Sequence, residues 1–227
     1  MPASIVSGFN RLVTKAKPTS DFAKALLDRA HALNSEAETR ALYRDWAKTY
    51  DQTMLDGLGY ESPAKASRLL NSQLHDKNAH ILDVGTGTGL VGRALSALGY
   101  THIDGIDYSA EMLAEARQTG VYQQLIQADL TRSLTLVDHR YAALICIGTF
   151  THGHVDAQCL DELFRLLQPG GLFVTAIRKA YWQPAGFAAK VAQLTEAGVM
   201  ETLVKREDSN YADSSEAESW FLVWRKR

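Results

Sequence analysis

The chain has 227 residues, 46% of them hydrophobic and 22% charged, with a formal net charge of −2 at pH 7. That is an ordinary globular balance. It excludes a bulk electrostatic pull toward nucleic acid, and no run approaches the ~18 apolar residues of a bilayer-spanning helix. Two cysteines, Cys146 and Cys159, make neither a disulfide framework nor a CxxC spacing and suit core positions in a reduced, cytoplasmic setting.

Residues 1–20 carry Arg11, Lys15 and Lys17 with no acid before Asp21. They weakly resemble a transit peptide, contain no secretory hydrophobic region, and are expected to be disordered or loosely helical. After Pro18, Ser20 is a capping candidate for a helix with Phe22, Ala25, Leu26, Leu27 and Ala30 at helical spacing, broken at Asn34-Ser35. A second helix is expected from Glu36 to about Leu58, where Leu42, Tyr43, Trp46, Ala47 and Tyr50 form one stripe that ends at Gly57 and Gly59. Ser62-Pro63 opens a third, through Ala66, Leu69, Leu70 and Leu74.

From His80 onward short apolar runs alternate with helical stretches, the rhythm of a parallel sheet. Strands are predicted near 80–84, 102–106, 122–128, 142–147 and 172–177, with helices over 89–98, 110–118, 156–167 and 184–197. Val199 to Arg206 and Ser219 to Arg225 form two further strands, joined by a polar run too short for a crossover helix, so they pair antiparallel. The expected fold is α/β: a doubly wound, seven-stranded Rossmann-like sheet with an antiparallel last strand, in a domain over 77–227 that follows an N-terminal helical cap over 1–76.

Ile81 to Gly89 reads ILDVGTGTG, a strand running into Gly85, Thr86, Gly87 and Gly89 and then a helix. Such a loop lets a ligand approach main-chain groups closely. Gly87 to Gly92 also satisfies GxGxxG, with Asp107 near the spacing expected for ribose recognition, so a nicotinamide- or flavin-dependent oxidoreductase is one reading. Asp83 opposes it, because a carboxylate in the strand before the glycines suits a cationic amine better than a pyrophosphate.

Asp107 closes the second strand, where its two oxygens can accept both ribose hydroxyls; the other reading is a cap for the helix that begins near Ser109. Tyr108 is placed to lie against an adenine face with Met112 below, and Met112 also reads as a plain core position. Asp129 ends the third strand, suited to accept from an adenine amino group while the Leu130 N–H donates to the ring; alone, Asp129 reads equally as a turn former. Three acids at successive strand tips around a glycine loop describe a site for an adenosine carrying an amine. S-adenosyl-L-methionine is the ligand of that description, with S-adenosyl-L-homocysteine as its product.

In ILDVGTGTG, Asp107, QADL and LLQPGGLFV the chain resembles the class I S-adenosylmethionine-dependent methyltransferases. YRDWAKTYDQ at 43–52, GYTHIDGIDYSAEMLAEAR at 99–117, GVYQQLIQ at 120–127, GTFTHGHV at 148–155 and PGGLFVTAIR at 169–178 narrow the resemblance to the Williams-Beuren-region methyltransferase-like family. It spans roughly residues 36–205. It implies Asp83 and Gly85 near the methionine end of the cofactor, Asp107 on the ribose, Asp129 and Leu130 on the adenine, and Gly148 along the cofactor. Thr86 departs from the Cys or Gly that related sequences often carry there. The resemblance also makes the Tyr43, Trp46, Tyr50 stripe a lid whose rings face the sulfonium end, while its spacing reads as helical core packing; the two are compatible.

The acceptor is expected at the loop after the fourth strand. His152 and His154 are general-base candidates there, against a plain surface or structural role. Arg178, ending the fifth strand, reads either as the anchor of an acceptor carboxylate or as a member of a surface ion pair. Tyr181 and Trp182 beyond it are expected to wall an aromatic or apolar pocket. No residue set recurs at metal-ligand spacing. The expected activity is methyl transfer to an O, N, S or C atom of a small molecule, without nucleic-acid or membrane partners, in a cytoplasmic monomer or homodimer. The alternatives are an NAD(P)-dependent oxidoreductase and a non-catalytic S-adenosylmethionine-binding protein that acts through a partner.

Overall fold

The computed structural model describes residues 20–31, 36–150, 155–212, 214 and 216–227. Seven strands form one sheet: β1 (Ile81–Val84), β2 (Ile103–Asp107), β3 (Gln124–Gln127), β4 (Tyr141–Ile147), β5 (Leu167–Arg178), β6 (Met200–Asp208) and β7 (Ser219–Lys226), in the spatial order β3-β2-β1-β4-β5-β7-β6. The first five are parallel, and β7 lies antiparallel between β5 and β6. The order reverses between β1 and β4, and in such sheets ligands bind beyond the carboxyl ends of the strands at that reversal. The doubly wound sheet and its antiparallel last strand agree with the sequence reading.

Eight helices are described: α1 (Ser20–His31), α2 (Glu36–Trp46), α3 (Ser62–Asn71), α4 (Leu90–Ala97), α5 (Ala110–Gln118), α6 (Cys159–Leu166), α7 (Lys179–Trp182) and α8 (Phe187–Glu196). Alternation along β1 sends Leu82 and Val84 into one core, with α6, α8 and the Phe164, Phe173 and Trp224 rings. Ile81 goes to the other face, into a second core with α3 and α4. Each fully buried aliphatic side chain of this kind contributes about 1.5–3 kcal/mol. Asp83 shares the parity of Ile81, so the α4 side of the sheet receives its carboxylate.

The N-terminal helices have a small core of their own, built on Ala30, Leu42, Trp46 and Met54. The expected cap over 1–76 is thus divided in its packing, because Ala66, Leu69 and Leu70 of α3 join the sheet core instead. The second helix also differs from expectation. It is α-helical only to Trp46, then forms a 3₁₀ turn over Ala47–Thr49 and a π-helical turn over Gln52–Gly57. The hydroxyls of Thr49 and Thr53 donate to the carbonyls of Trp46 and Thr49, local bonds of the kind that compete with a regular helical ladder. Near the other end, β5 begins at Leu167 rather than 172, because a register shift against β4 lets Leu167 pair with Tyr141 before Leu172 pairs with Ala143.

Candidate functional site

The loop after β1 turns tightly because Gly85, Gly87 and Gly89 all have positive φ, at 72°, 55° and 94°. Gly85 is the most constrained. A Cβ there would lie 1.8 Å from the Thr149 hydroxyl, so this position needs glycine for space as well as for φ. The N–H groups of Gly85 and Thr86 donate to the Ile106 carbonyl, which fastens the loop to the tip of β2. The buried Thr86 hydroxyl donates back to the Asp83 carbonyl at 2.9 Å.

Asp83 is fully buried. Its Oδ2 accepts from the Tyr122 hydroxyl at 2.6 Å, and among the described residues its Oδ1 has no hydrogen-bond partner. Burial pushes this carboxyl up to about 7, opposed by the Tyr122 bond and reinforced by the charge of Asp107. Tyr122 in turn accepts from the Gly92 N–H at 3.1 Å. A Cβ on Gly92 would meet the Tyr122 hydroxyl at 2.2 Å, so that glycine admits the phenol to the carboxylate. The sequence reading missed Tyr122; its signal was a glycine inside each of α4 and β2, the mark of close approach by another group.

Asp107 spans the loop. Its Oδ2 accepts from the Gly87 N–H at 2.7 Å and its Oδ1 from the Ser109 N–H at 2.8 Å. Burial raises its pKa against these two bonds. The helix cap itself belongs to Ser109, whose hydroxyl accepts from the Met112 N–H. Met112 is buried in α5 and Leu130 in the sheet core. Tyr108 is half-buried, and its carbonyl accepts from Gln127. Asp129 forms a turn: Oδ1 accepts from the Thr131 N–H and hydroxyl, and Oδ2 pairs with Arg132 at 3.3 Å. Burial acts to raise the Asp129 carboxyl, but those partners prevail and hold it below its ordinary range.

A second missed residue is Asp51, between the 3₁₀ and π-helical turns. Its carboxylate takes the Thr88 hydroxyl of the glycine loop and, at 2.5 Å, the Arg93 guanidinium of α4. The segment between the 3₁₀ and π-helical turns is thereby fastened to the glycine loop and α4.

Beside this carboxylate group lies an open-mouthed cavity with an empty volume of about 570 Å³. Tyr43, Trp46, Tyr50 and Met54 wall it from the lid, Gly148 and Phe150 from the end of β4, Ala176 and Arg178 from β5, and Tyr211 from the β6–β7 connection. Tyr60 and Tyr211 form an isolated antiparallel bridge with rings 5.8 Å apart, so the cap and the connection close on each other. Tyr211 escaped the sequence reading because it sits in a polar run without periodicity. The Tyr43–Trp46–Tyr50 stripe both packs in the cap core and lines the cavity. Burial, then the charge of Asp107, pushes the phenol of Tyr43, which lines the cavity, up to about 12.

Tyr181 and Trp182 pack in the sheet core against Phe187, where the Tyr181 hydroxyl donates to the Val155 carbonyl. His152 and His154 lie outside the described residues, as does the segment 1–19. Among the described residues no group of three or more His, Cys, Asp or Glu could hold a metal ion, and no helix is long and apolar enough to cross a membrane.

Residues 81–171, which hold the strand-end carboxylate, the glycine turn and the second carboxylate on the next strand, match the family model for a methyltransferase domain. Human methyltransferase-like protein 27 is 32% identical over 187 residues, covering 80% of this chain and 76% of that protein. The chain belongs to the class I S-adenosylmethionine-dependent methyltransferases, in the Williams-Beuren-region methyltransferase-like family. A ubiquinone biosynthesis O-methyltransferase of Xylella fastidiosa (strain 9a5c) is 34% identical over 107 residues, 44% of this chain and 43% of that enzyme. Two solved structures share the fold: a TehB-like S-adenosylmethionine-dependent methyltransferase of Corynebacterium glutamicum (TM-score 0.62, 20% identity, 82% of this chain, 99% of that one), and a Haloferax volcanii methyltransferase in complex with the Trm112 methyltransferase activator (TM-score 0.64, 19% identity, 82% and 96%).

The cofactor of this class is S-adenosylmethionine, and the residues present fit it. The buried, unpartnered Oδ1 of Asp83 suits a cationic ammonium, and each Asp107 oxygen keeps a second lone pair for a hydroxyl.

Proposed function

We propose that the protein methylates a small organic molecule held in the cavity between the lid and the ends of β4 and β5. The observation that carries this reading is the lining of the cavity: six aromatic side chains, Tyr43, Trp46, Tyr50, Tyr60, Phe150 and Tyr211, wall it beside the proposed cofactor carboxylates. S-adenosylmethionine supplies an electrophilic methyl group on a sulfonium. In this reading Asp83 takes the cofactor's ammonium, with Gly85, Thr86, Gly87 and Gly89 shaping the main chain around the methionine end. Asp107 takes the ribose hydroxyls, Tyr108 and Met112 border the adenine, and Asp129 with the Leu130 N–H takes its polar edge. Gly148 keeps the far wall thin, since even a Cβ there would come within 3.1 Å of the Tyr60 hydroxyl.

The chain's part in the reaction is alignment and exclusion of water, which in oriented systems supply up to ~7–11 kcal/mol. Tyr43, Trp46 and Tyr50 close over the site, and the Asp51 clasp holds them down. For a hydroxyl acceptor, His152 is the general-base candidate and His154 a substrate-binding candidate, both read from the sequence. The two cysteines are buried free thiols whose ionisation burial suppresses, which suits a reducing cytoplasm.

Incubation with methyl-labelled S-adenosylmethionine and a metabolite extract should place label in the small-molecule fraction. Label found solely in protein or nucleic acid would overturn the small-molecule reading in favour of a macromolecular acceptor, and transfer to none would favour a binding protein that acts through a partner.

A further inference from the structure

We propose that Trp46 receives the α-carboxylate of S-adenosylmethionine, its indole N–H donating from the lid while Asp83 takes the ammonium from the sheet. This rests on the cofactor placement proposed above and adds a binding residue at its zwitterionic end. The Trp46 side chain is 3% exposed and borders the cavity, and among the described residues its Nε1–H has no hydrogen-bond partner. A buried N–H in that condition costs free energy that a bound oxygen restores. Trp224 shares the condition inside the sheet core, against Phe164 and Phe173; Trp46 differs in bordering a cavity.

The glycine loop has little left to offer this carboxylate. The N–H groups of Gly85 and Thr86 bind the Ile106 carbonyl, that of Gly87 binds Asp107 and that of Gly89 binds the Thr86 carbonyl, while the Thr88 hydroxyl is given to Asp51. An α-amino acid bears its ammonium and its carboxylate on one carbon, so the donor for the second must come from the side facing Asp83. Trp46 stands on that side. Its ring stacks on Tyr43 with centroids 5.9 Å apart, and the Tyr43 phenol feels the charge of Asp107. Tyr50 meets it edge-on at 4.8 Å and precedes Asp51, whose bond to Thr88 reaches the glycine loop. Burial keeps both phenols protonated and Arg93 neutralises Asp51, so these neighbours set no net charge against an incoming carboxylate.

The test uses the full-length protein and two ligands, S-adenosylhomocysteine and its decarboxylated analogue, which keeps the amine. Calorimetry should show the natural chain binding S-adenosylhomocysteine roughly tenfold or more tighter than the analogue. Trp46→Phe, which keeps a ring and removes the N–H, should lose roughly tenfold or more in affinity for S-adenosylhomocysteine and bind the analogue unchanged. With isotope-labelled indole nitrogens in the four tryptophans, one N–H resonance of the natural chain should move with S-adenosylhomocysteine and stay in place with the analogue, and it should be missing from Trp46→Phe. Unchanged affinity of Trp46→Phe for S-adenosylhomocysteine would overturn the inference and leave the N–H to the acceptor; an equal loss for both ligands would overturn it in favour of packing alone. If Trp46→Phe does not fold, the natural chain still decides: equal affinity for the two ligands, or no indole resonance that answers the carboxylate, sinks the inference. Failure of both ligands to bind the natural chain would instead sink the methyl-transfer reading, so the two failures are distinguishable.

Discussion

The Tyr122 hydroxyl donates to Oδ2 of Asp83 at 2.6 Å, across 39 residues of sequence, while Oδ1 of the same buried carboxylate has no hydrogen-bond partner among the described residues. One oxygen is held and the other presented. Tyr122→Phe removes the hydrogen bond that the Tyr122 hydroxyl makes to this carboxylate, and burial already disfavours its charge. The expected result is a carboxyl that ionises at still higher pH and an affinity for S-adenosylhomocysteine reduced by about 1.5–3 kcal/mol, the range for hydrogen bonds to charged groups. Calorimetry at pH 7 and pH 8.5 checks this: the loss should shrink at the higher pH. An equal loss at both would assign Tyr122 to packing alone.

Asp83 predicts opposite pH trends for stability and for binding. Burial lifts its carboxyl from 3.8 to about 7. Between those values the folded chain holds a proton that the unfolded chain releases, so the group's contribution to stability is most favourable below about pH 4 and declines as pH rises through the folded value. Capture of a cationic ammonium needs the ionised form. Affinity for S-adenosylhomocysteine should therefore climb by up to about tenfold per pH unit below 7 and level off above it. Asp83→Asn should bind weakly with a flat profile, and a flat profile in the natural protein would detach Asp83 from the ammonium.

The asymmetry between Asp83 and Tyr122 also marks what was legible in the chain. Asp83, Asp107 and Asp129 stood at strand ends, which period-two alternation and turn residues reveal, and the polar run before Ser219 left no room for a crossover, so the antiparallel β7 followed. Tyr122 was hidden because its partner is supplied by another strand, and no local pattern encodes that meeting. The break of the second helix was hidden for a different reason: the Tyr43–Trp46–Tyr50 stripe keeps helical spacing, while the Thr49 and Thr53 hydroxyls alter the hydrogen bonding beneath it.

Asp51 ties the lid to the buried Thr88 and to Arg93; the Asp51 and Arg93 side chains remain partly exposed, and ion pairs of that kind are worth ~0.2–1 kcal/mol. Asp51→Asn should thus leave the melting temperature nearly unchanged. Its effect belongs to the closed lid: S-adenosylhomocysteine should dissociate roughly two- to fivefold faster, which is what ~0.4–1 kcal/mol amounts to. Stopped-flow displacement measures this directly. An unaltered dissociation rate would reduce the clasp to an ordinary surface pair.

Asp107 carries two tasks that one substitution cannot separate, since it receives the N–H groups of Gly87 and Ser109 as well as facing the proposed ribose position. Asp107→Ala should weaken S-adenosylhomocysteine by about 1.5–3 kcal/mol, with helix content preserved because the Ser109 hydroxyl still caps α5. An analogue lacking the ribose 2′-hydroxyl tells the tasks apart. If Asp107 holds the ribose, the natural protein should bind this analogue more weakly than S-adenosylhomocysteine, and Asp107→Ala should bind the two alike. If Asp107 only shapes the glycine loop, the analogue should lose as much affinity in the variant as in the natural chain, and the ribose assignment would have to pass to another group.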